Sequence, residues 1–309
     1  MKTDGLLGEF MRVFTHLGDG PVQLILIALL YWVWDRELAL RVGLLFMGSA
    51  VVNGVLKQGF AEPRPGWIDS ASAPLSHPAS FGMPSGHAQS AATWFLVPFI
   101  NRSSGLLILV FIYAFLMGFS RIAIGVHSWD QVMMGWAVGL CCVVAYRWFE
   151  ALYHQKSEQY STLSLLMAGS TVVALMVLIA RETVAAIDAS QIELWTVYAQ
   201  RYGVDSLGPA GLRHTVTPLG CLVGFGVGGL IDSNREWTPS NGFSNMLVRC
   251  FIGCAMTAGL YLVFKATVPL DSEAPLALCL RFGAGAGLGF VAFCGAPAMM
   301  RRVGLFKAG

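Results

Sequence analysis

LLILVFIYAFLMGFSRIAIGVHSWDQVMMGWAVGLCCVVAYRWF, residues Leu106–Phe149, is two apolar runs joined by a short polar corner. Each run is close to the roughly 20 residues that an α-helix needs to cross the hydrocarbon of a bilayer. Lipid offers no hydrogen-bond partners to backbone, so runs of this length read as helices. The first run, Leu106 to Ile124, carries Ser120 and Arg121 near its end, and the corner adds His127 and Asp130 before the second run opens at Gln131. The stretch is therefore expected to be a membrane helical hairpin with reactive side chains at its turn.

Working outward, the same pattern recurs. Apolar runs at 21–34, 38–56, 87–100, 163–180, 216–231, 246–266 and 275–299 bring the expected number of spans to nine. The fold class that follows is all-α, a polytopic membrane helical bundle. Composition agrees: 55% of the 309 residues are hydrophobic and 12% are charged, against about 25% charged in a soluble domain. The net charge of +2 and the lack of a basic run longer than Arg301-Arg302 exclude a nucleic-acid partner. Seven cysteines, an odd number, all lie in apolar segments and read as small buried hydrophobes.

Residues 1–20 lack the features of a signal peptide. Leu6, Leu7, Phe10, Met11, Phe14 and Leu17 fall near helical spacing there, with Glu9, Arg12 and Thr15 between them. The segment reads as an interfacial helix lying on the membrane, or as a helix packed against the bundle. Arg36, Arg102, Arg147, Lys156, Arg301 and Arg302 gather in the loops of one side, whereas the loops of the other side mix Lys and Arg with Asp and Glu. The positive-inside rule makes the first side cytoplasmic. The glycine-rich stretches 224–229 and 283–289 lie within spans and read as close helix packing through small residues, not as nucleotide sites.

Three polar segments interrupt the apolar sequence on the opposite, outward side. They are Lys57 to Pro65 with Arg64, Gly82 to His87 with Pro84-Ser85-Gly86, and Ser120 to Gln131 with Arg121, His127 and Asp130. Lys57, Arg64 and Arg121 would repel one another unless an anion sat among them. Arg presents a planar fork and Lys a point charge to phosphate oxygens. Ser85 and Gly86 precede a helix start, whose free N–H groups favour an anion. The set reads as a phosphate cradle bordered by His87 and His127, and phosphoryl transfer asks a protein mainly for position and charge stabilisation. One imidazole can attack phosphorus while the other protonates the leaving oxygen. No acidic cluster stands here to hold a metal, so a metal-independent reaction with no cofactor is expected.

The three segments resemble the signature motifs of the type 2 phosphatidic acid phosphatase (PAP2) superfamily, K-x6-RP, PSGH and SR-x5-H-x3-D. That superfamily includes bacterial membrane lipid phosphatases, glucose-6-phosphatase and vanadium haloperoxidases. The resemblance covers about residues 20 to 150 and implies His127 as nucleophile and His87 as general acid. It implies that Lys57, Arg64, Arg121, Ser85 and the Gly86 N–H bind the phosphoryl oxygens. The family's acidic residue falls at Gln131 here, with Asp130 one place early. Either lies on the helical face of His127, and Asp130 is the preferred orienting partner. Gln131 is the neutral alternative, and Ser128 to Gln131 also spells a capping box.

These readings divide the chain into an N-terminal interfacial segment 1–20, a six-helix catalytic core 21–180, and accessory transmembrane helices 181–309 to which no chemistry is assigned. The expected function is hydrolysis of a lipid phosphate or diphosphate through a phosphohistidine, by an integral protein of the bacterial cytoplasmic membrane with its site facing outward. A glucose-6-phosphatase-like enzyme and a lipid or anion transporter are the alternatives. The bilayer and a membrane lipid phosphate are the expected partners, with the oligomeric state open. The loop 58–83, with Trp67, Leu75 and Phe81, is a candidate lid or substrate wall, His77 reads as a loop residue, and His16, His154 and His214 read as interfacial.

Overall fold

The computed structural model describes residues 5–68, 80–156, 162–200, 209–233, 237–240, 242–269 and 272–308. The helices in order are α1 (Leu6–Thr15), α2 (Gly20–Leu29), α3 (Arg36–Phe60), α4 (Pro65–Ile68), α5 (Gly86–Thr93), α6 (Leu96–Asn101) and α7 (Ser104–Ala123). They continue as α8 (Trp129–Lys156), α9 (Thr162–Ala185), α10 (Ala189–Gln200), α11 (Arg213–Ser233), α12 (Phe243–Thr267), α13 (Pro275–Phe290) and α14 (Ala296–Arg302). Two three-residue strands, β1 (Trp237–Pro239) and β2 (Phe306–Ala308), pair antiparallel with Thr238 opposite Lys307. The protein is an all-α integral membrane protein.

Among the described residues six helical segments are long and apolar enough to cross a membrane: 36–68, 104–123, 129–153, 213–232, 243–267 and 275–302. A seventh is added if the broken pair Leu6–Gly18 and Gly20–Trp34 is one span. The expected nine are not matched, and the clearest difference is the run 87–100. It divides into α5 and α6, eight and six residues long, because the Trp94 and Phe95 amides turn back to the Ala91 and Ala92 carbonyls, three residues earlier. Eight residues of α-helix reach about 12 Å, so α5 by itself is too short to cross a hydrocarbon core of about 30 Å. α5 is instead an interior helix, with Ala88, Gln89, Ala91, Ala92 and Thr93 all buried. α7 has the opposite character on its outer face, where Ile108, Phe111, Ile112 and Phe115 are exposed, as lipid contact requires.

The chain gathers into two compact units, one of residues 1–19 and 49–215, the other of residues 20–48 and 216–309. In the first unit α1 packs on α7 through Met11, Ala123, Ile124 and Val126, and through Phe14 beside Tyr113, Ala114 and Met117. Its other face leaves Leu6, Phe10 and Val13 exposed. α5 fits against α8 because two glycines remove side chains from the contact. A Cβ on Gly135 would lie 2.6 Å from the Ser85 carbonyl oxygen, and one on Gly139 would lie 2.4 Å from that of Gln89.

In the second unit the glycine-rich stretches act as expected. A Cβ on Gly224 would lie 2.1 Å from the Ala286 carbonyl oxygen, and one on Gly285 would lie 2.5 Å from that of Thr217. Asp232, with no exposed surface, accepts from the Tyr31 hydroxyl at 2.8 Å and from Arg301 at 2.6 Å, with Arg36 at 3.7 Å. A buried carboxylate is tolerated only when paired in this way.

Substituting Gly139 by Val should lower the melting temperature of detergent-solubilised protein, since forcing carbons into a packed contact costs about 1–3 kcal/mol. Gly283→Ala, at a helical position with nothing within 4 Å of the added carbon, should leave the melting temperature level or raise it. Equal effects from the two substitutions would show that the α5–α8 contact does not limit stability.

Candidate active site

One face of α3 builds the floor of the site. Ser49, Asn53 and Lys57 recur at the four-residue spacing that stacks side chains on a helix. The Asn53 amide donates to the Gln89 Oε1 at 2.8 Å and to the Pro84 carbonyl at 3.3 Å, while the Gln89 amide donates to the Ser49 hydroxyl and carbonyl, both at 2.8 Å. This buried ladder pins Pro84 and the start of α5 to α3. Lys57 Nζ donates to the Phe81 carbonyl, and the Gly82 amide donates to the Glu62 carbonyl at 2.8 Å. The segment after α3 and the segment before α5 therefore lie side by side.

The corner between α7 and α8 sets the second wall. Gly125 adopts φ +76, the left-handed conformation with which helices commonly end because glycine carries no Cβ. Behind it the Val126 and His127 amides both turn back to the Arg121 carbonyl, at 3.1 and 3.3 Å. The six-residue interval from Arg121 to His127 is thus the length of a helix end that folds back on itself.

His127 is fixed at both ring nitrogens. Its Nδ1 lies 3.0 Å from Gln131 Oε1, and its Nε2 lies 3.0 Å from an Arg64 guanidinium nitrogen. Gln131 Nε2 donates to the Pro63 carbonyl at 2.9 Å, and its Oε1 also accepts from the Ser128 amide at 3.4 Å. Those bonds orient the Gln131 amide with its oxygen toward His127. The Nδ1 must then carry the proton, and because Arg64 can only donate, Nε2 keeps its lone pair. Gly82 makes room for this arrangement, since a Cβ there would lie 2.4 Å from Gln131 Nε2.

These walls enclose a cavity of about 260 Å³ lined by Asn53, Gly54, Lys57, Arg64, Ser80, Gly86, His87, Arg121, His127 and His214. Lys57, Arg64, Arg121 and His127 retain only 4–6% of their surface. Arg64 also donates to the Ser80 carbonyl at 2.6 Å, the Ser80 hydroxyl at 2.9 Å and the Val126 carbonyl at 3.0 Å. Arg121 donates to the Thr15 hydroxyl at 2.7 Å. The buried Ser85 hydroxyl and Arg121 Nε have no hydrogen-bond partner among the described residues. Three buried cations in one small cavity call for an anion with several acceptor oxygens. Among the described residues no three His, Cys, Asp or Glu side chains converge as a metal site would require.

The structure brings Lys57, Arg64, Gly86, His87, Arg121 and His127 to one cavity and places Ser85 at the start of α5 beside it. It corrects Asp130 as the orienting partner: Asp130 lies exposed in the first turn of α8, while the buried Gln131 accepts from the Nδ1–H. His214 is corrected from interfacial to cavity-lining, because Gln58 holds the segment before it through the Pro209 carbonyl at 3.0 Å and the Gly211 amide at 3.3 Å. Trp67 and Phe81 are buried in an aromatic cluster with Trp195 of α10, at ring separations of 6.2 to 6.4 Å, and are not among the residues that line the cavity. Leu75, His77 and the side chain of His154 lie outside the described residues. Asp19, 3.1 Å from His87, and Thr15 were not singled out in the sequence. The Ser49, Asn53, Lys57 spacing inside an apolar run was the signal available for the α3 face.

Burial pushes the His87 imidazole down from the ordinary 6.5 to about 4, and the Arg121 charge adds to this, while the bond to Asp19 pulls the other way. His127 is driven well below its ordinary value, first by burial and then by Arg64 and Lys57. Both rings are neutral at pH 7, so His127 Nε2 is a free-base nitrogen facing cations, where it can act as a nucleophile.

A model of the PAP2 superfamily matches residues 38–154, and one of a PAP2 superfamily phosphatase transmembrane extension matches residues 216–308. Phosphatidylglycerophosphatase B of Bacillus subtilis (strain 168) is 34% identical over 151 residues, which are 43% of this chain and 70% of that protein. Among solved structures, a transmembrane PAP2 type phosphatidylglycerolphosphate phosphatase from Bacillus subtilis is similar at 32% identity and TM-score 0.40, over 48% of this chain and 79% of that one. Aquifex aeolicus LpxE is similar at 26% identity and TM-score 0.42, over 47% of this chain and 87% of that one.

The unfolded chain takes up histidine protons below about 6.5 that folded His87 refuses until about 4. Stability is therefore full above pH 6.5 and is lost as the pH falls from about 6.5 toward about 4. The melting temperature of detergent-solubilised protein should be level above neutrality and decline across that window. Saturating inorganic phosphate, an anion that favours the protonated rings, should make the decline shallower.

Proposed function

The chain belongs to the PAP2 superfamily of phosphatases, and from that membership we propose that it hydrolyses a membrane lipid phosphate or diphosphate through a phosphohistidine on His127, without a metal ion. The observation that carries the reading is the double anchoring of His127, with Nδ1–H on Gln131 and Nε2 beside Arg64 in a buried cationic cavity. The phosphoryl group enters among Lys57, Arg64 and Arg121, and Arg64 exchanges its bond with Nε2 for one to a phosphoryl oxygen. His87 takes the proton that the phosphate carries in as its monoanion; the Nε2 lone pair of His127 then forms a bond to phosphorus as the bond from phosphorus to the leaving oxygen breaks, and His87 passes that proton to the leaving oxygen. A water then loses a proton to His87 and attacks phosphorus, the N–P bond breaks, and inorganic phosphate departs. Lys57, Arg64 and Arg121 supply the charge stabilisation that such a transfer needs. Ser85 and the Gly86 amide complete the cradle.

The substrate class follows from the site's setting. The cavity-lining residues lie at the ends of apolar helices, so a headgroup can reach His127 while its chains stay in lipid. Kinship with a phosphatidylglycerophosphatase favours phosphatidylglycerol phosphate among the candidates, ahead of phosphatidic acid and polyprenyl diphosphates. Kinship with a Bacillus subtilis protein and the loop charges support the cytoplasmic membrane, with the site facing outward.

Purified protein with excess chelator should release phosphate from lipid phosphates in preference to glucose 6-phosphate. His127→Ala should fall to the background rate while melting as a folded protein, and full activity in that variant would overturn the mechanism. Quenching in alkaline detergent during turnover should trap an acid-labile, alkali-stable phosphoenzyme that His127→Ala lacks.

Gln131→Ala frees the imidazole to turn and should lower kcat about 10²-fold, the scale of a misplaced reacting group. Asp130→Asn, at an exposed position, should stay within about twofold of the unsubstituted enzyme, as surface changes away from a site do. The reverse ranking would restore Asp130 as the orienting residue.

A further inference from the structure

We propose that Asp19 is a positioning residue for His87: the N-terminal segment Thr15–Asp19 holds the general acid in the tautomer and orientation that present Nδ1 to the leaving oxygen. The proposal rests on the reading of His87 as the acid given above. The family match begins at residue 38 and does not include this segment.

Three contacts tie the segment to the cavity. Thr15 accepts from Arg121 at 2.7 Å. Gly18 lies flat against the His87 ring, where a Cβ would be 2.5 Å from Cδ2 and 2.8 Å from the Met117 sulfur. Asp19 Oδ1 is 3.1 Å from His87 Nε2, and its Oδ2 is 2.8 Å from His16 Nδ1. The carboxylate is thus held from both sides. An ionised carboxylate only accepts hydrogen bonds, so Nε2 must carry a proton. The Cδ2–Nε2 edge of the ring is given to the N-terminal segment, which leaves Nδ1 as the nitrogen that exchanges a proton with substrate. In the first half-reaction the Nδ1 proton passes to the departing alkoxide, and in the second Nδ1 takes a proton from water. Nε2–H stays on Asp19 throughout.

Charge makes the same demand. The groups around His87 are Arg121 of α7, Arg64 of the segment after α3, and Asp19 with His16 behind it. Lys57, His127 and His214 are the other titratable groups in the cavity lining. Arg121 and Arg64 both disfavour an imidazolium there, and Asp19 opposes them through its hydrogen bond and its charge. A general acid placed among cations needs such an anion to hold its proton until the leaving group takes it. Carboxylate-to-imidazole orientation of this kind is the recurring device for fixing a catalytic tautomer.

The test compares two phosphate monoesters with different leaving groups, a short-chain phosphatidic acid and p-nitrophenyl phosphate, because an aryl oxide departs without help from an acid. Asp19→Asn should lower kcat/KM for the alkyl phosphate by about 10²-fold, the lower end of what general acid catalysis contributes, and for the aryl phosphate by less than a tenth of that factor. The alkaline limb of the kcat profile for the alkyl phosphate should move to lower pH, since the imidazolium has lost its anion. Asp19→Glu should recover part of the loss. Equal losses on both substrates with no movement of the alkaline limb would reduce Asp19 to a structural role and overturn the proposal, as would full activity in Asp19→Asn. His87→Gln separates this from failure of the underlying reading: if that variant too shows no dependence on the leaving group, His87 is not the acid.

Discussion

Three cationic side chains buried around one small cavity are the constraint on which the rest of the catalytic unit depends. Lys57, Arg64 and Arg121 lose most of their contact with water, and like charges so placed are tolerable only if the protein fixes their donors and leaves room for an anion. The fixing is done largely by backbone. The Phe81, Ser80 and Val126 carbonyls and the Thr15 hydroxyl accept from the three cations. Main-chain acceptors hold the cations in place without neutralising them, so the attraction for a phosphate is kept.

That arrangement sets the demands on the packing. The Phe81–Gly82 segment must lie against α3, which the Lys57 bond and the Trp67, Phe81 and Trp195 cluster secure. The start of α5 must lie against both α3 and α8, which the Ser49, Asn53 and Gln89 ladder and the Gly135 and Gly139 contacts secure. A short interior helix with a polar face on one side and glycines on the other can be placed more closely than a full membrane span could be. The shortness of α5 and the position of His87 at its start are therefore two aspects of one requirement.

The distribution of acidic groups follows the same logic. A neutral Gln131 holds His127, the proposed nucleophile, and leaves the cavity charge unreduced. The carboxylate in contact with a cavity histidine is instead Asp19 on His87, where a proton rather than a phosphoryl group has to be held. The two cavity histidines are thus anchored by partners of different charge, which suits the different tasks proposed for them.

Sequence alone determined the membrane setting, the helical class, the two histidines and the three cations, because each is encoded locally. An apolar run of about 20 residues reads as a helix from its own composition, and the Arg121 to His127 interval is the length of one helix end closed at Gly125. The glycine stretches 224–229 and 283–289 likewise announced close helix contact. Tertiary structure decided what local pattern leaves degenerate. Asp130 and Gln131 lie on the same helical face in any linear reading, and only the Pro63 carbonyl and the Ser128 amide select Gln131. The run 87–100 is apolar enough to be counted as a span, but its helix breaks at Trp94 and α5 is buried inside the unit. Thr15 and Asp19 stand 106 and 68 residues from their partners Arg121 and His87, and His214 joins the cavity lining from the far side of the sequence. No periodicity connects positions so far apart, and only the folded chain brings their side chains within hydrogen-bond reach of one cavity.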